Sequence, residues 1–331
     1  MRNSTKITGI IALANLKGIG PAFVKKAISN NCFNSSNYVE EIKRIIEPNN
    51  KFFEDDIIFE SVEYAKEIIF KCQQENIEII DLTSEDYPPI LKELKDAPSI
   101  LYCKGNLELL YQNTICIIGT REPNENGEKI AERIGSYFSQ VNWNICNGLA
   151  QGIDSFAIQK NNNFHQKIIG VLAGGLNYNS KKTLLKRTAE NAERTLESGG
   201  LLISEIPPDK KEDTFTVVKS CRIQAGLSKG LVIIQSSIDG GSRFTTKAFC
   251  ETARPIAIIN PIQADYTNLN YNANIEIIEN KKKGLSKFTE IKEDKILTST
   301  IFTIKSRDDY QEFENILNSE KQIIKHTTLF S

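Results

Sequence analysis

The chain has 331 residues, is 40% hydrophobic and 25% charged, and carries a formal net charge of −1. This suits one large domain plus a smaller one, or two of moderate size, with enough apolar surface for a buried core. It excludes a globally basic nucleic-acid binder, so any such site has to be a local basic groove. Seven dispersed cysteines without a Cys-x-x-Cys pair fit a reducing, cytoplasmic setting better than a disulfide framework, and two histidines rule out a histidine-rich metal site.

Arg2 and Lys6 precede an apolar stretch from Ile7 to Leu16, interrupted by Thr8 and Asn15 and lacking a small-residue cleavage pattern. It reads as the start of a helix rather than a leader. No apolar run approaches the ~20 residues that a membrane span needs. Residues 1–80 carry helical spacing in Ile10-Leu13-Ala14 and Val62-Ala65-Ile69, and Gly18-Ile19-Gly20 turns into a helix from Pro21 to Ile28. From 81 to 113 the prolines of Tyr87-Pro88-Pro89 and Ala97-Pro98 predict an extended, irregular lead-in, with a short strand at Ile100 to Cys103.

From Thr114 the pattern alternates. Continuous apolar runs occur at Ile115 to Ile118, Trp143 to Cys146, Ile168 to Leu172, Leu201 to Ile203, Leu231 to Ile234 and Pro255 to Ile259. Helical stretches separate them at Glu128 to Gln140, Ile153 to Gln159, Lys181 to Leu196 and Thr245 to Ala253. Strands without polar alternation, joined by helices, predict an α/β fold: a doubly wound, mostly parallel sheet over 114–280 behind a small N-terminal helical domain. In the extension 281–331, Ile301 to Ile304 reads as a strand and Asp308 to Leu317 as a helix, with no clear winged helix. Just before it, Ile275 to Ile278 is a further strand candidate, and Lys281-Lys282-Lys283 reads as a solvated turn.

Ligands of such sheets collect at the carboxyl ends of the strands. The first strand is followed by Gly119-Thr120-Arg121, the second by Asn147-Gly148-Leu149-Ala150-Gln151-Gly152-Ile153-Asp154. The fifth is preceded by Arg222 to Ser228 and followed by Asp239-Gly240-Gly241-Ser242-Arg243-Phe244-Thr245-Thr246-Lys247. Glycines admit close approach of an anion, helix starts offer free amides, and the cations supply the local basic groove. Each loop alone is equally readable as a tight turn, and Asp154 as a residue placed against a helix dipole. Four together on one sheet edge carry more weight.

These motifs, with Tyr87-Pro88-Pro89-Ile90-Leu91 and Leu101 to Asn106 ahead of them, resemble in order and spacing those of the DNA-processing A (DprA/Smf) family, over about Asp81 to Pro261. The resemblance implies a Rossmann-like domain of the SLOG superfamily that binds single-stranded DNA, dimerises and helps load a RecA-type recombinase during transformation or recombination, with no catalysis and no cofactor. It assigns Gly119, Arg121, Gly148, Gly152, Asp154, Lys219, Arg222, Gly240, Gly241, Ser242, Arg243, Thr245 and Lys247 to the DNA or phosphate pocket. Gly18 and Gly20 resemble a helix-hairpin-helix or SAM-like turn whose amides would make a second DNA contact, and they suit a purely structural αα-turn equally. The chain departs from the pattern where Ser220 and Cys221 replace the first Arg-Asn of Arg-Asn-Arg, and where Val217-Val218 replaces Phe-Pro.

Two rival readings use the same loops: a nucleotide-binding sensor of this superfamily, of the kind that would serve antiphage defence, and a nucleotide phosphoribohydrolase. The enzyme's Pro-Gly-Gly-x-Gly-Thr-x-x-Glu motif lacks its carboxylate here, the first glutamate after Gly240 being Glu251. A dinucleotide fold is disfavoured too, since Gly119 stands alone until Gly127.

Overall fold

The computed structural model describes residues 4–28, 32–34 and 37–327, with side chains described as far as residue 319. Helices α1 (Ser4–Asn15), α2 (Pro21–Ala27), α3 (Tyr38–Ile46) and α4 (Asp55–Gln74) build the N-terminal module. Ile10, Leu13, Ile42, Ile46, Ile58 and Ala65 are its fully buried centre. Gly18 (φ +80°) makes the α1–α2 turn, and Pro21 opens α2 where its missing N–H costs nothing. Among the described residues, no helix is long and apolar enough to cross a membrane.

The remaining elements are β1 (Glu78–Asp81), α5 (Pro89–Lys92), β2 (Ile100–Gly105), β3 (Thr114–Ile118), α6 (Glu125–Gln140), β4 (Asn144–Asn147) and α7 (Ile153–Ala157). A two-stranded hairpin follows, β5 (Gln159–Lys160) and β6 (Asn163–Phe164), then β7 (Ile168–Val171), α8 (Tyr178–Lys181), α9 (Lys186–Glu197) and β8 (Leu201–Ser204). The chain continues through α10 (Thr214–Leu227), β9 (Leu231–Ile233), α11 (Ser242–Cys250), β10 (Ile256–Ile259), α12 (Asn272–Thr289), β11 (Ile301–Ile304) and α13 (Asp309–Thr327).

Nine strands form one sheet in the order β1-β2-β8-β7-β4-β3-β9-β10-β11. The strands from β8 to β11 run parallel, while β2 is antiparallel to both β8 and β1. All six expected strands lie where their apolar runs stand, because both faces are covered. Ile115, Ile117 and Val232 cluster with Ile134, Phe138 and Phe313 of α6 and α13. Cys116, Leu231 and Ile233 cluster with Ala225, Phe249 and Phe288 of α10, α11 and α12. Successive strand residues point to opposite faces, so this split is what double winding requires.

Three expectations are corrected. Ile275 to Ile278 is not a strand but part of α12, with Asn274 and Ile277 buried at helical spacing. That helix breaks at Lys281 (φ 50°, ψ −122°), in the lysine run read as a turn. The segment Arg222 to Ser228 is not a carboxyl-edge loop. Most of it belongs to α10, whose last turn ends at the opposite edge, where the Lys229 amide donates to the Thr114 carbonyl (2.8 Å). Helix α10 escapes notice because its buried stripe runs Thr216, Ser220, Ile223, Leu227, with hydroxyl residues in apolar positions. It starts on a reciprocal cap between Asp213 and Thr216. The end of the segment read as helical supplies an edge strand, β1, and the lead-in read as irregular carries its expected strand, β2, and the short helix α5.

Candidate functional site

The sheet's winding reverses between β3 and β9. The connection after β3 leads to α6 on one face, and that after the adjacent β9 leads to α11 on the other, leaving a crevice at their carboxyl ends. Three of the glycine loops meet there. The Thr120 amide donates to the Gln235 carbonyl (2.7 Å), and the Ile153 amide to the Thr120 carbonyl (3.1 Å). The glycines permit this stacking. A Cβ on Gly119 lies 2.6 Å from Ile153, and one on Gly152 (φ +85°) lies 2.4 Å from the Thr120 carbonyl oxygen.

Beside these loops opens a cleft of about 480 Å³ lined by Arg121, Ala150, Gln151, Leu185, Lys186, Arg187, Thr188 and Glu190. Arg121, Lys186 and Arg187 are exposed there, and no side chain caps the N-terminus of α9. The first turn of α9 thus presents unpaired amides beside three cations, against two carboxylates: Glu190 pairs with Arg187 (3.3 Å), and Glu212, near the Arg121 charge, accepts from the Leu185 amide ahead of that turn (2.5 Å). Arg121 has no ion-pair partner among the described residues. This is the local basic groove that the net charge demanded, but two of its three cations escaped sequence reasoning. Lys186 and Arg187 sit inside a charged helix and look like a solvated face; the signal was the Gly174-Gly175 pair after β7. A Cβ on Gly174 meets the Thr183 carbonyl oxygen at 2.3 Å, and one on Gly175 the Pro207 carbonyl oxygen at 2.1 Å, so the pair lets that connection fold tightly ahead of α9.

The other assigned residues divide. Gly148 offers its amide to Asp154 Oδ2 (3.1 Å), as does Ala150 (3.4 Å), so the carboxylate closes the β4–α7 turn and occupies donors that a phosphate would use. Burial pushes the Asp154 carboxyl up to about 7, against those amide hydrogen bonds and the nearby Arg121 charge, which pull it down. The folded state therefore holds a proton that the unfolded chain releases near pH 4, and stability falls as pH rises from about 4 to about 7. Asp154→Asn keeps an acceptor without the charge. Between pH 5 and pH 8, urea unfolding is expected to show the variant gaining about 2 kcal/mol relative to wild type. An unchanged difference would refute this role.

Arg222, on α10, is engaged elsewhere. Its guanidinium grips Glu205 through two hydrogen bonds (2.6 and 2.7 Å) and reaches Asp96 (3.0 Å), and Lys219 also pairs with Glu205 (3.3 Å). The Arg222 and Glu205 side chains are only 12% and 6% exposed, so this pair locks α10 to the segment after β8. Arg222→Met leaves Glu205 buried with Lys219 alone and is expected to cost about 3 kcal/mol in urea unfolding; a loss below about 1 kcal/mol would show the pair to be incidental.

On the other side of the crevice, Ser242 is buried with its hydroxyl 2.6 Å from that of Ser236, and Thr245 is buried on α11. A Cβ on Gly240 meets Ser236 Oγ at 2.9 Å, whereas Gly241, the N-cap of α11, faces open space. Arg243 pairs with Glu290 (3.6 Å) and lies over the Phe244 ring (4.9 Å); Lys247 is exposed one turn on. Asn272 and Asn274 hold this loop by accepting from the Ile238 and Ser236 amides (2.5 and 3.0 Å), and Glu251 caps the far end of α11, away from the crevice. Gly18 and Gly20 lie in the helical module, where the Gly18 carbonyl accepts from Lys51 (3.2 Å).

A family model described as DNA recombination-mediator protein A matches residues 78–295. The chain is 30% identical to DNA processing protein DprA of Bacillus subtilis over 190 residues, covering 57% of this chain and 62% of the relative. It is 31% identical to Protein Smf of Escherichia coli over 191 residues, covering 57% and 50%. The matched region thus spans about half to three-fifths of the length of these curated relatives. The fold matches that of DNA processing protein A from Streptococcus pneumoniae with a TM-score of 0.69 at 19% identity, covering 94% of this chain and 98% of that one. It also matches the protein of that name from Helicobacter pylori, whose structure addresses a single-stranded DNA binding mode, with a TM-score of 0.56 at 20% identity over 74% and 96%.

Proposed function

Because the chain belongs to the DNA recombination-mediator protein A family, we propose that it binds single-stranded DNA in the cleft between Arg121 and the first turn of α9, and serves as a recombination mediator in DNA uptake or recombination. The observation that carries this reading is the grouping of Arg121, Lys186 and Arg187 beside uncapped helix amides on an otherwise near-neutral molecule. The cations and amides hold phosphates, and sequence preference is low. Gly241 and Lys247 continue the path across the crevice toward α11. Exposed Phe215, in the first turn of α10, is a stacking platform for a base: it follows Glu212, whose carboxylate accepts from the Leu185 amide at the cleft (2.5 Å).

The reading includes no catalytic step. Asp154 is spent on its own turn, and Glu251 stands at the wrong end of α11. Assembly as a homodimer and engagement of a RecA-type recombinase belong to the same proposal and rest on the family alone.

A labelled 20-mer single strand competed against unlabelled duplex and against mononucleotides tests it. Displacement by single strand at far lower concentration than by either competitor is the expected result, with Phe215→Ala weakening the single strand about fivefold or more. Displacement by a mononucleotide at equal or lower concentration would replace this reading with the nucleotide-sensor one.

A further inference from the structure

A second cavity, of about 240 Å³, lies where the helical module meets the sheet, and nothing described so far uses it. The module contributes Ile11, Ile19 and Tyr64, and the core contributes Ile100, Ser99 and Ile206. Four isoleucines, Ile11, Ile19, Ile100 and Ile206, make the apolar part of a wall that is otherwise about half polar. The charges are not balanced. Lys210 and Lys219 both line the cavity, and the one carboxylate there, Glu205, is already gripped twice by Arg222 and paired with Lys219. Lys210 has no ion-pair partner among the described residues and is exposed at the rim.

From this we infer a binding site for a small organic anion, with a ring-sized apolar body against Ile11, Ile19, Ile100 and Ile206 and one phosphate or carboxylate at Lys210 and Lys219. The volume holds a body of roughly ten non-hydrogen atoms, below the range of drug-sized pockets. A bare inorganic ion leaves the isoleucines wet, and a neutral ring leaves Lys210 unanswered and Lys219 with only its share of Glu205, so the two halves together specify the class. Occupation bridges α1 and α4 to the segment after β8 and thereby fixes the module against the sheet. The site involves neither Arg121 nor α9, so it stands or falls apart from DNA binding.

Isothermal titration of the full chain with phenyl phosphate and phenylacetate, against benzyl alcohol as the uncharged probe, tests the inference without DNA. At least one anion is expected to bind saturably, benzyl alcohol at least tenfold more weakly. Lys210→Met is expected to weaken the anion about tenfold, the worth of one charge-assisted hydrogen bond. Ala14→Phe, which fills the cavity from α1, is expected to abolish binding, circular dichroism confirming that both variants fold. No saturable binding of either anion, equal binding of benzyl alcohol, or unchanged binding in folded Ala14→Phe would each overturn it.

Discussion

Arg121→Ala is expected to weaken single-strand binding by about tenfold or more while leaving the urea midpoint unchanged. The residue is exposed and lines the cleft, and its side chain makes no hydrogen bond or ion pair among the described residues, acting on Asp154 and Glu212 only through its charge. A guanidinium on a phosphate makes a charge-assisted contact worth about 1.5–3 kcal/mol, which sets the size of the loss. The same substitution is expected to flatten the dependence of log K on log salt by about 0.7, the share of one phosphate on a single strand. Anisotropy titrations of variant and wild type across a salt series measure both. An affinity drop with an unchanged slope would mean that Arg121 acts by shaping the loop rather than by holding a phosphate.

The second large effect concerns the loop that carries Arg121. Gly152 combines φ +85° and ψ −134° with a Cβ position 2.4 Å from the Thr120 carbonyl oxygen and 2.6 Å from Arg121 backbone atoms. Both the backbone conformation and the contact penalise any side chain, and the obstacle is backbone, which cannot swing away. Gly152→Ala is therefore expected to cost about 3 kcal/mol or more in urea unfolding, and to displace Arg121 enough that the remaining folded protein binds DNA weakly. Gly148→Ala is the control. A Cβ there meets nothing nearer than 3.4 Å, and its loss is expected to stay below about 1 kcal/mol. Equal losses at the two glycines would refute the stacked-loop account.

Much of the architecture was readable from the chain because parallel strands buried on both faces leave continuous apolar runs, as Ile115 to Ile118 and Leu231 to Ile234 do. Elements whose buried faces are polar were harder. Helix α10 hides behind Thr216 and Ser220, and β1 is an edge strand with Glu78 exposed, so neither shows a clean period. Ile275 to Ile278 misleads because four residues with three apolar suit a strand or a helix equally, and the bonds from Asn274 to the Ile234 and Ile259 carbonyls (both 3.0 Å), which tie the start of α12 to the sheet, leave no local period.

At the site, glycines were legible and charges were not. Gly119 and Gly152 announce a close approach whatever the partner. The role of an arginine depends on what it meets: Arg121 opens to the cleft, whereas Arg222 is taken up by Glu205, seventeen residues earlier and on another element. Pairing across elements leaves no mark in local sequence. For the same reason Lys186 and Arg187 gain their meaning only once α9 is seen to start at the cleft.

The salt dependence of single-strand binding by the wild-type chain decides whether the cleft holds phosphates. Three phosphate contacts, at Arg121, Lys186 and Arg187, predict a slope of about −2 for log K against log salt, with duplex bound more weakly at every point. A flat slope, or no binding of single strand at low salt, would contradict a phosphate-reading cleft at the sheet's carboxyl edge.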